Sequence, residues 1–169
     1  MKRITRSNIY RAITAMILTV ALAAPAAAQK QVPFKGTLQA QETDSGSPPI
    51  ISVTGTGTGI GTHVGQFSLS YEFRVNVTNG TGTGSAQLTA ANGDIIDATV
   101  VGSSEPTATP GVRSITEIYT ITGGTGRFAG AQGSFVVERL LDLATHLTSG
   151  SFHGTITSPG AAHAEADED

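Results

Sequence analysis

The alternation of apolar and polar residues between positions 66 and 77 constrains the fold of this chain more than any other feature of its sequence. One face of the segment is apolar and consists of Phe67, Leu69, Tyr71, Phe73 and Val75. The other face is polar and consists of Ser68, Ser70, Glu72, Arg74 and Asn76. A period of two residues is typical of a strand with one buried face, as in antiparallel sheets. The chain therefore has to build a sheet that covers the apolar side of this strand.

Other segments repeat this pattern in weaker form, with β-branched or aromatic residues between turn signals. The eight predicted strands are 33–40, 50–57, 66–77, 81–90, 95–102, 113–122, 134–141 and 151–157. The predicted loops between them include 45–49, 58–65 and 103–110. Hairpin turns are indicated at Asn79-Gly80 and Asn92-Gly93, since both residue types tolerate positive φ.

Eight strands joined in succession favour one fold class. We predict an all-β protein with an eight-stranded up-and-down antiparallel β-barrel, because closure removes the exposed strand edges that invite aggregation. An open sandwich with a similar number of strands is the alternative.

The first 28 residues have the pattern of a cleaved signal peptide. Four basic residues precede an apolar run at 12–24, which is short for a bilayer span, and Ala26-Ala27-Ala28 then offers a cleavage site before Gln29. We therefore expect a signal peptide at 1–28, a barrel domain at 29–158 and a disordered acidic tail at 159–169. The expected location is the periplasm or the extracellular space.

Charge and cysteine content exclude several classes of function. After cleavage at residue 28, six basic and thirteen acidic side chains remain, which gives a net charge of −7. Such an acidic protein is a poor ligand for nucleic acid or for an anionic membrane surface, and we expect no stable membrane insertion. The chain has no cysteine, so it has neither thiol nucleophiles nor Cys-ligated metal sites.

A glycine-rich connection follows the sixth predicted strand. Its residues are Gly123, Gly124, Thr125, Gly126, Arg127, Phe128, Gly130 and Gly133. It lacks the Gly-Lys-Ser/Thr ending of a phosphate loop, and no convincing helix follows it. We interpret it as a structural connection in which Phe128 closes one end or corner of the barrel.

This connection resembles the G-G-T-G-x-F segment of allene oxide cyclase and dirigent barrels. It resembles still more closely a group of small exported bacterial proteins, in which Thr62-His63-Val64-Gly65 and Ala91-Asn92-Gly93-Asp94 would be further shared elements. The resemblance implies an eight-stranded barrel with a central cavity. In the plant proteins, that cavity imposes a conformation on a fatty-acid epoxide or guides the coupling of phenoxy radicals. No catalytic residue is carried over, because this chain departs from the plant enzymes outside the glycine-rich segment.

Candidate ligand-binding residues are few. His63 could act as an acid or base at a barrel mouth, although a histidine that braces its turn is the more common case. Tyr71 lies on the apolar face of the third strand, and Glu117 with Tyr119 share a face with two isoleucines. Glu72 and Arg74 are expected on the outer surface. A metal site formed by His63, His146 and His153 is not favoured, and we predict neither a metal nor a cofactor.

Three functions remain open from the sequence. The first is binding of a small apolar ligand in the barrel, in a cavity lined from the face of Phe67, Leu69, Tyr71 and Phe73. The second is an isomerase or cyclase that steers the conformation of its substrate. The third is an envelope or matrix protein with a filled barrel. The chain is expected to be a monomer or a small homo-oligomer, and enzymatic activity is the less favoured reading.

Overall fold

A computed structural model describes residues 30–157 and residue 159. The predicted signal peptide lies outside the described residues, as does nearly all of the predicted acidic tail. Every described strand belongs to one closed sheet, so the barrel is complete within this range.

The structure is an all-β closed barrel, as predicted. Its strands are β1 (Gln31–Ser47), β2 (Ile50–Gly61), β3 (Gly65–Asn76), β4 (Thr81–Ala90), β5 (Ile95–Pro106), β6 (Val112–Gly124), β7 (Gly133–Asp142) and β8 (Leu147–Thr157). Each strand pairs antiparallel with the next one, and β8 returns to pair with β1. A 3-10 turn, Gly126–Phe128, lies in the connection between β6 and β7. The sandwich alternative is therefore wrong.

Several strands extend beyond the predicted bounds. The predicted loop 45–49 is mostly strand, since β1 continues to Ser47, and β5 likewise continues to Pro106. The predicted connection 58–65 is also mostly strand, because β2 continues to Gly61. Glycine normally weakens a strand. In β2, however, glycine leaves the room inside the barrel that large side chains from other strands need.

Large inward side chains lie against glycines of neighbouring strands. A Cβ atom built at Gly55 would overlap the ring of Tyr71, and one built at Gly59 would overlap the ring of Phe67. Both pairs are directly opposite each other in the β2–β3 register. An eight-stranded barrel encloses little more than the volume of its own inward side chains. The glycines therefore make it possible for the rings to fit without spreading the strands apart.

One half of the barrel is filled by aromatic rings. The ring centroids of Phe34 and Phe135 are 5.1 Å apart, those of Phe34 and Phe152 are 5.0 Å apart, and those of Tyr119 and Phe135 are 4.8 Å apart. Phe67 joins this cluster through Phe152, at 6.1 Å. Contacts at these distances stabilise the core beyond the burial of apolar area alone.

The three motifs of the family resemblance meet at the filled end. Arg127 Nη2 donates a hydrogen bond to Val64 O (3.2 Å), and Arg127 Nε lies 3.6 Å from Asp94 Oδ2. Gly126 has a φ of 56° and lies directly against Asp94, a position that favours glycine. Phe128 is 1% exposed and packs into the core beneath these contacts. We call this region the sealed end of the barrel.

We expect Phe128→Ala to lower the free energy of unfolding by about 3–5 kcal/mol, because removal of a buried ring leaves a cavity. Urea unfolding followed by circular dichroism measures the loss. The matched control is Ile118→Ala on the outer surface, where a loss below about 1 kcal/mol is expected. A loss below about 1 kcal/mol for Phe128→Ala would show that the ring does not seal the barrel.

Candidate functional site

A cavity of about 260 Å³ lies at the end of the barrel opposite Phe128. Small and branched residues replace most of the aromatic rings here, with Phe73 as the exception, so the interior is not filled. Its apolar walls include Ile51, Val53, Phe73, Val75, Val100, Ile115 and Leu141. Its polar residues are Glu42, Asp44, Ser103, Ser104, Arg113, Glu117 and Arg139. Because ~150 Å³ of apolar space is enough to bind benzene, this cavity has room for a small organic molecule.

Arg139 holds two carboxylates together at the floor of the cavity. Its Nη1 donates to Glu42 Oε1 (2.6 Å) and to Thr148 Oγ1 (3.0 Å). Its Nη2 and Nε donate to Glu117 Oε1 (2.8 Å) and Oε2 (3.1 Å), which forms a two-pronged ion pair. Arg139, Glu42 and Glu117 are only 6%, 5% and 4% exposed. We call these three side chains, with Tyr71 and Tyr119, the floor network.

The two tyrosines support the carboxylates from below. Tyr71 OH donates to Glu42 Oε1 (2.8 Å), and Tyr119 OH donates to Glu117 Oε2 (3.4 Å). The Arg139 guanidinium carbon also lies 5.6 Å from the centre of the Tyr71 ring. The phenol groups thus fix which way each carboxylate turns, while both rings remain part of the aromatic core.

Burial and charge shift the ionisation of this network. Burial raises the pKa of Tyr71 and of Tyr119 far above the usual value, and the neighbouring glutamates raise both further. Burial alone lowers the pKa of Arg139, but its hydrogen bonds to Glu117 and the charges of both glutamates outweigh that effect. The net result is a raised pKa, so Arg139 stays charged and both phenols stay neutral near pH 7.

The structure brings three of the four predicted site residues together. Glu117 lines the cavity, and Tyr71 and Tyr119 lie directly beneath it in the floor network. His63 lies elsewhere, exposed in the turn between β2 and β3 at the sealed end, with a φ of 64°. From the face predicted to line the cavity, Phe73 does so, together with Val75.

Sequence reasoning missed Glu42 and Arg139. The prediction ended the first strand at residue 40, although Glu42 continues the inward parity of Leu38 and Ala40. Arg139 has the same parity as Val137 and Leu141, two buried residues of β7. Extending the period-two pattern through a charged residue could have found both. The pattern could not show that these two side chains bind each other, because Glu42 and Arg139 are 97 residues apart in the chain.

The remaining polar candidates are not part of the floor network. Glu72 and Arg74 are exposed on the outer face of β3, as expected. Among the described residues, no three His, Asp or Glu side chains lie close enough together to hold a metal ion. Within the same part of the chain, no helix is both long and apolar enough to cross a bilayer.

Comparison with solved structures gives one informative likeness. The structure superposes on that of a pterocarpan synthase dirigent protein with a TM-score of 0.57. The superposition covers 90% of this chain and 99% of that one. The two proteins share a barrel fold. At 10% sequence identity the likeness concerns the fold alone, and it confirms the resemblance to dirigent barrels at that level. The sequence matches no protein-family model. The search of curated proteins gives no match either.

Tyrosine ionisation provides a test of the floor network. We expect Tyr71 and Tyr119 to form no tyrosinate while the barrel is folded, because the fold favours the neutral phenols. Their contribution to stability is complete below about pH 10, the usual pKa of tyrosine, and is lost as pH rises above it towards the raised pKa. Ultraviolet absorbance and circular dichroism are followed together during an alkaline titration.

The titration is made on a Tyr10→Phe chain, which leaves Tyr71 and Tyr119 as its tyrosines. The same chain in denaturant is the control, and its tyrosines should ionise near pH ~10. Tyrosinate absorbance near that pH from a barrel that is still folded would contradict the burial of the network.

Removing Arg139 should destabilise the barrel strongly. In Arg139→Met, two buried carboxylates lose their shared cation, and we expect a loss of about 3–5 kcal/mol in the free energy of unfolding. The control adds Glu42→Gln and Glu117→Gln to the same variant. It should recover part of the loss, since it removes the unpaired charges. Urea unfolding measures both, and equal stability of Arg139→Met and the wild type would contradict the role of the ion pairs.

Proposed function

We propose that this protein is exported and binds a small, mainly apolar molecule in the cavity above the floor network. The observation that carries the proposal is the combination of an open apolar cavity with a few convergent polar groups, which is typical of ligand sites. The N-terminal pattern of residues 1–28 supports export. The acidic charge of the rest of the chain argues against nucleic acid as the partner.

The division of the barrel supports binding over a purely structural role. A barrel that served only as a scaffold would gain stability from a filled interior, since each void costs packing energy. Here the aromatic core ends at Tyr119 and at Phe73, which stacks on Tyr71, and glycines such as Gly82 and Gly102 line the open half. The open half therefore lacks packing energy that a filled interior would supply.

Substrate steering by an enzyme is the second candidate. Glu117 in the open cavity favours it, because a carboxylate held by Arg139 is fixed in position next to any bound molecule. Native mass spectrometry of the protein purified from its own source separates the two functions. A co-purifying mass that incubation leaves unchanged supports binding, and a mass that is converted supports an enzyme.

Filling the cavity tests both functions. Gly82 lines it, and a Cβ at this position would lie 3.3 Å from Val75 Cγ2, so a side chain can enter with a small adjustment. We expect Gly82→Leu to weaken binding of cyclohexanol, a neutral probe, by at least about tenfold, because the added side chain occupies the probe's volume. Nuclear magnetic resonance titration measures the affinity.

The matched control for this variant is Thr83→Leu. Thr83 is the next residue of β4 and is exposed on the outer surface, so the same side chain is added outside the cavity. Its affinity for cyclohexanol should remain within about twofold of the wild type, a change of less than ~0.5 kcal/mol. Equal weakening by both variants would argue against the cavity as the binding site.

A further inference from the structure

The two oxygens of Glu42 have different surroundings. Oε1 accepts hydrogen bonds from Arg139 and Tyr71, whereas Oε2 accepts none from any residue that the structure describes. Within the described residues, the fully buried side-chain polar atom without a hydrogen bond is Arg127 Nε, at the other end of the barrel. Glu42 Oε2 therefore keeps some accessible surface, and Glu42 is one of the residues that line the cavity.

The floor network carries more negative than positive charge. Glu42 and Glu117 share one guanidinium, which leaves a formal charge of −1 at the floor. Asp44 and Arg113 also line the cavity, and their formal charges of −1 and +1 leave this sum unchanged. A buried charge without a full counter-charge is costly, and a bound cation would reduce that cost.

The guanidinium of Arg139, which is the cation of the floor network, already donates most of its hydrogen bonds to protein groups. Arg139 gives four of its five N–H groups to Glu42, Glu117 and Thr148. Arg113 is similarly engaged with Ser104, to which its Nη2 donates two hydrogen bonds. At the floor, little donor capacity therefore remains for an anionic ligand, while an acceptor oxygen remains open on Glu42. The Nη1 of Arg113 keeps its donors, but it lies at the rim.

We propose that the cavity takes a small organic ammonium ion, with its N–H groups on Glu42 Oε2 and its apolar body against the walls. This inference rests on the proposed function and names its ligand class. Phe73 lines the same cavity, and an aromatic face next to a cation adds attraction. An alcohol can donate to Glu42 as well, but it brings no charge to offset the carboxylates. A carboxylate ligand would add a third negative group.

Three probes of similar shape test the charge preference on the full chain. They are cyclohexylammonium, cyclohexanol and cyclohexanecarboxylate, each titrated at neutral pH and low ionic strength by nuclear magnetic resonance. Cyclohexylammonium should bind with one-to-one saturation and at least about tenfold more tightly than cyclohexanol, the usual gain when a hydrogen bond becomes charge-assisted. Cyclohexanecarboxylate should bind more weakly than cyclohexanol.

Substitution of the carboxylate tests its role directly. Glu42→Gln keeps the shape of the side chain and removes its charge, so the preference for cyclohexylammonium over cyclohexanol should fall to about twofold or less. Glu72→Gln is the matched control, because Glu72 is a glutamate on the outer face of β3. It should leave the preference unchanged. Circular dichroism shows whether each variant is folded, and the three-probe comparison on the wild type tests the proposal even if Glu42→Gln does not fold.

The outcomes separate this inference from the proposed function. If cyclohexanol binds at least as tightly as cyclohexylammonium, or if cyclohexanecarboxylate binds best, the ammonium proposal is overturned and cavity binding stands. Ammonium binding that is not saturable, or that Glu42→Gln leaves unchanged, also overturns it, because such binding reflects only the acidic surface. If none of the three probes binds the wild type, both proposals fail.

Discussion

The small interior of an eight-stranded barrel is the constraint on which the rest of this structure depends. Several large inward side chains fit because a neighbouring strand places glycine opposite them, as Gly55 is placed opposite Tyr71. Where rings are frequent, the interior is filled and the end is sealed by Phe128. Where valine and glycine replace the rings, the same strands enclose a cavity. The distribution of side-chain volume along the strands thus divides one barrel into a filled half and an open half.

The floor network lies at the boundary between the two halves. Its phenol groups belong to the aromatic core, and its carboxylates border the cavity. A buried ion pair adds little net stability, because desolvation costs about as much as the attraction returns. Its effect here is to hold Glu42 and Glu117 in fixed orientations next to open space. Fixed orientation is what a ligand site requires, since a preorganised group loses less entropy on binding.

Period-two alternation predicted the fold class and most of the strands, because burial of one face of a strand repeats every second residue. The strand bounds were less predictable, since glycine indicates a loop in sequence but fills an inward position in β2. For the candidate site, parity identified Glu117 and Tyr119. Parity did not identify Arg139 as a site residue, because its partner Glu42 lies on a strand that is distant in the chain. His63 was a candidate because of its residue type and its position between glycines before β3, and its turn lies at the sealed end.

The sequence by itself determined that this chain forms eight antiparallel strands and favoured a closed barrel over an open sandwich, since its alternation, turns and glycines are local features that each strand carries. Only the tertiary structure decided where that barrel is full and where it is empty. The volume inside depends on which side chains face one another across strands and across the interior. The same holds for charge, because the surroundings of Glu42 are set by Tyr71 and Arg139, which closure of the barrel brings to it.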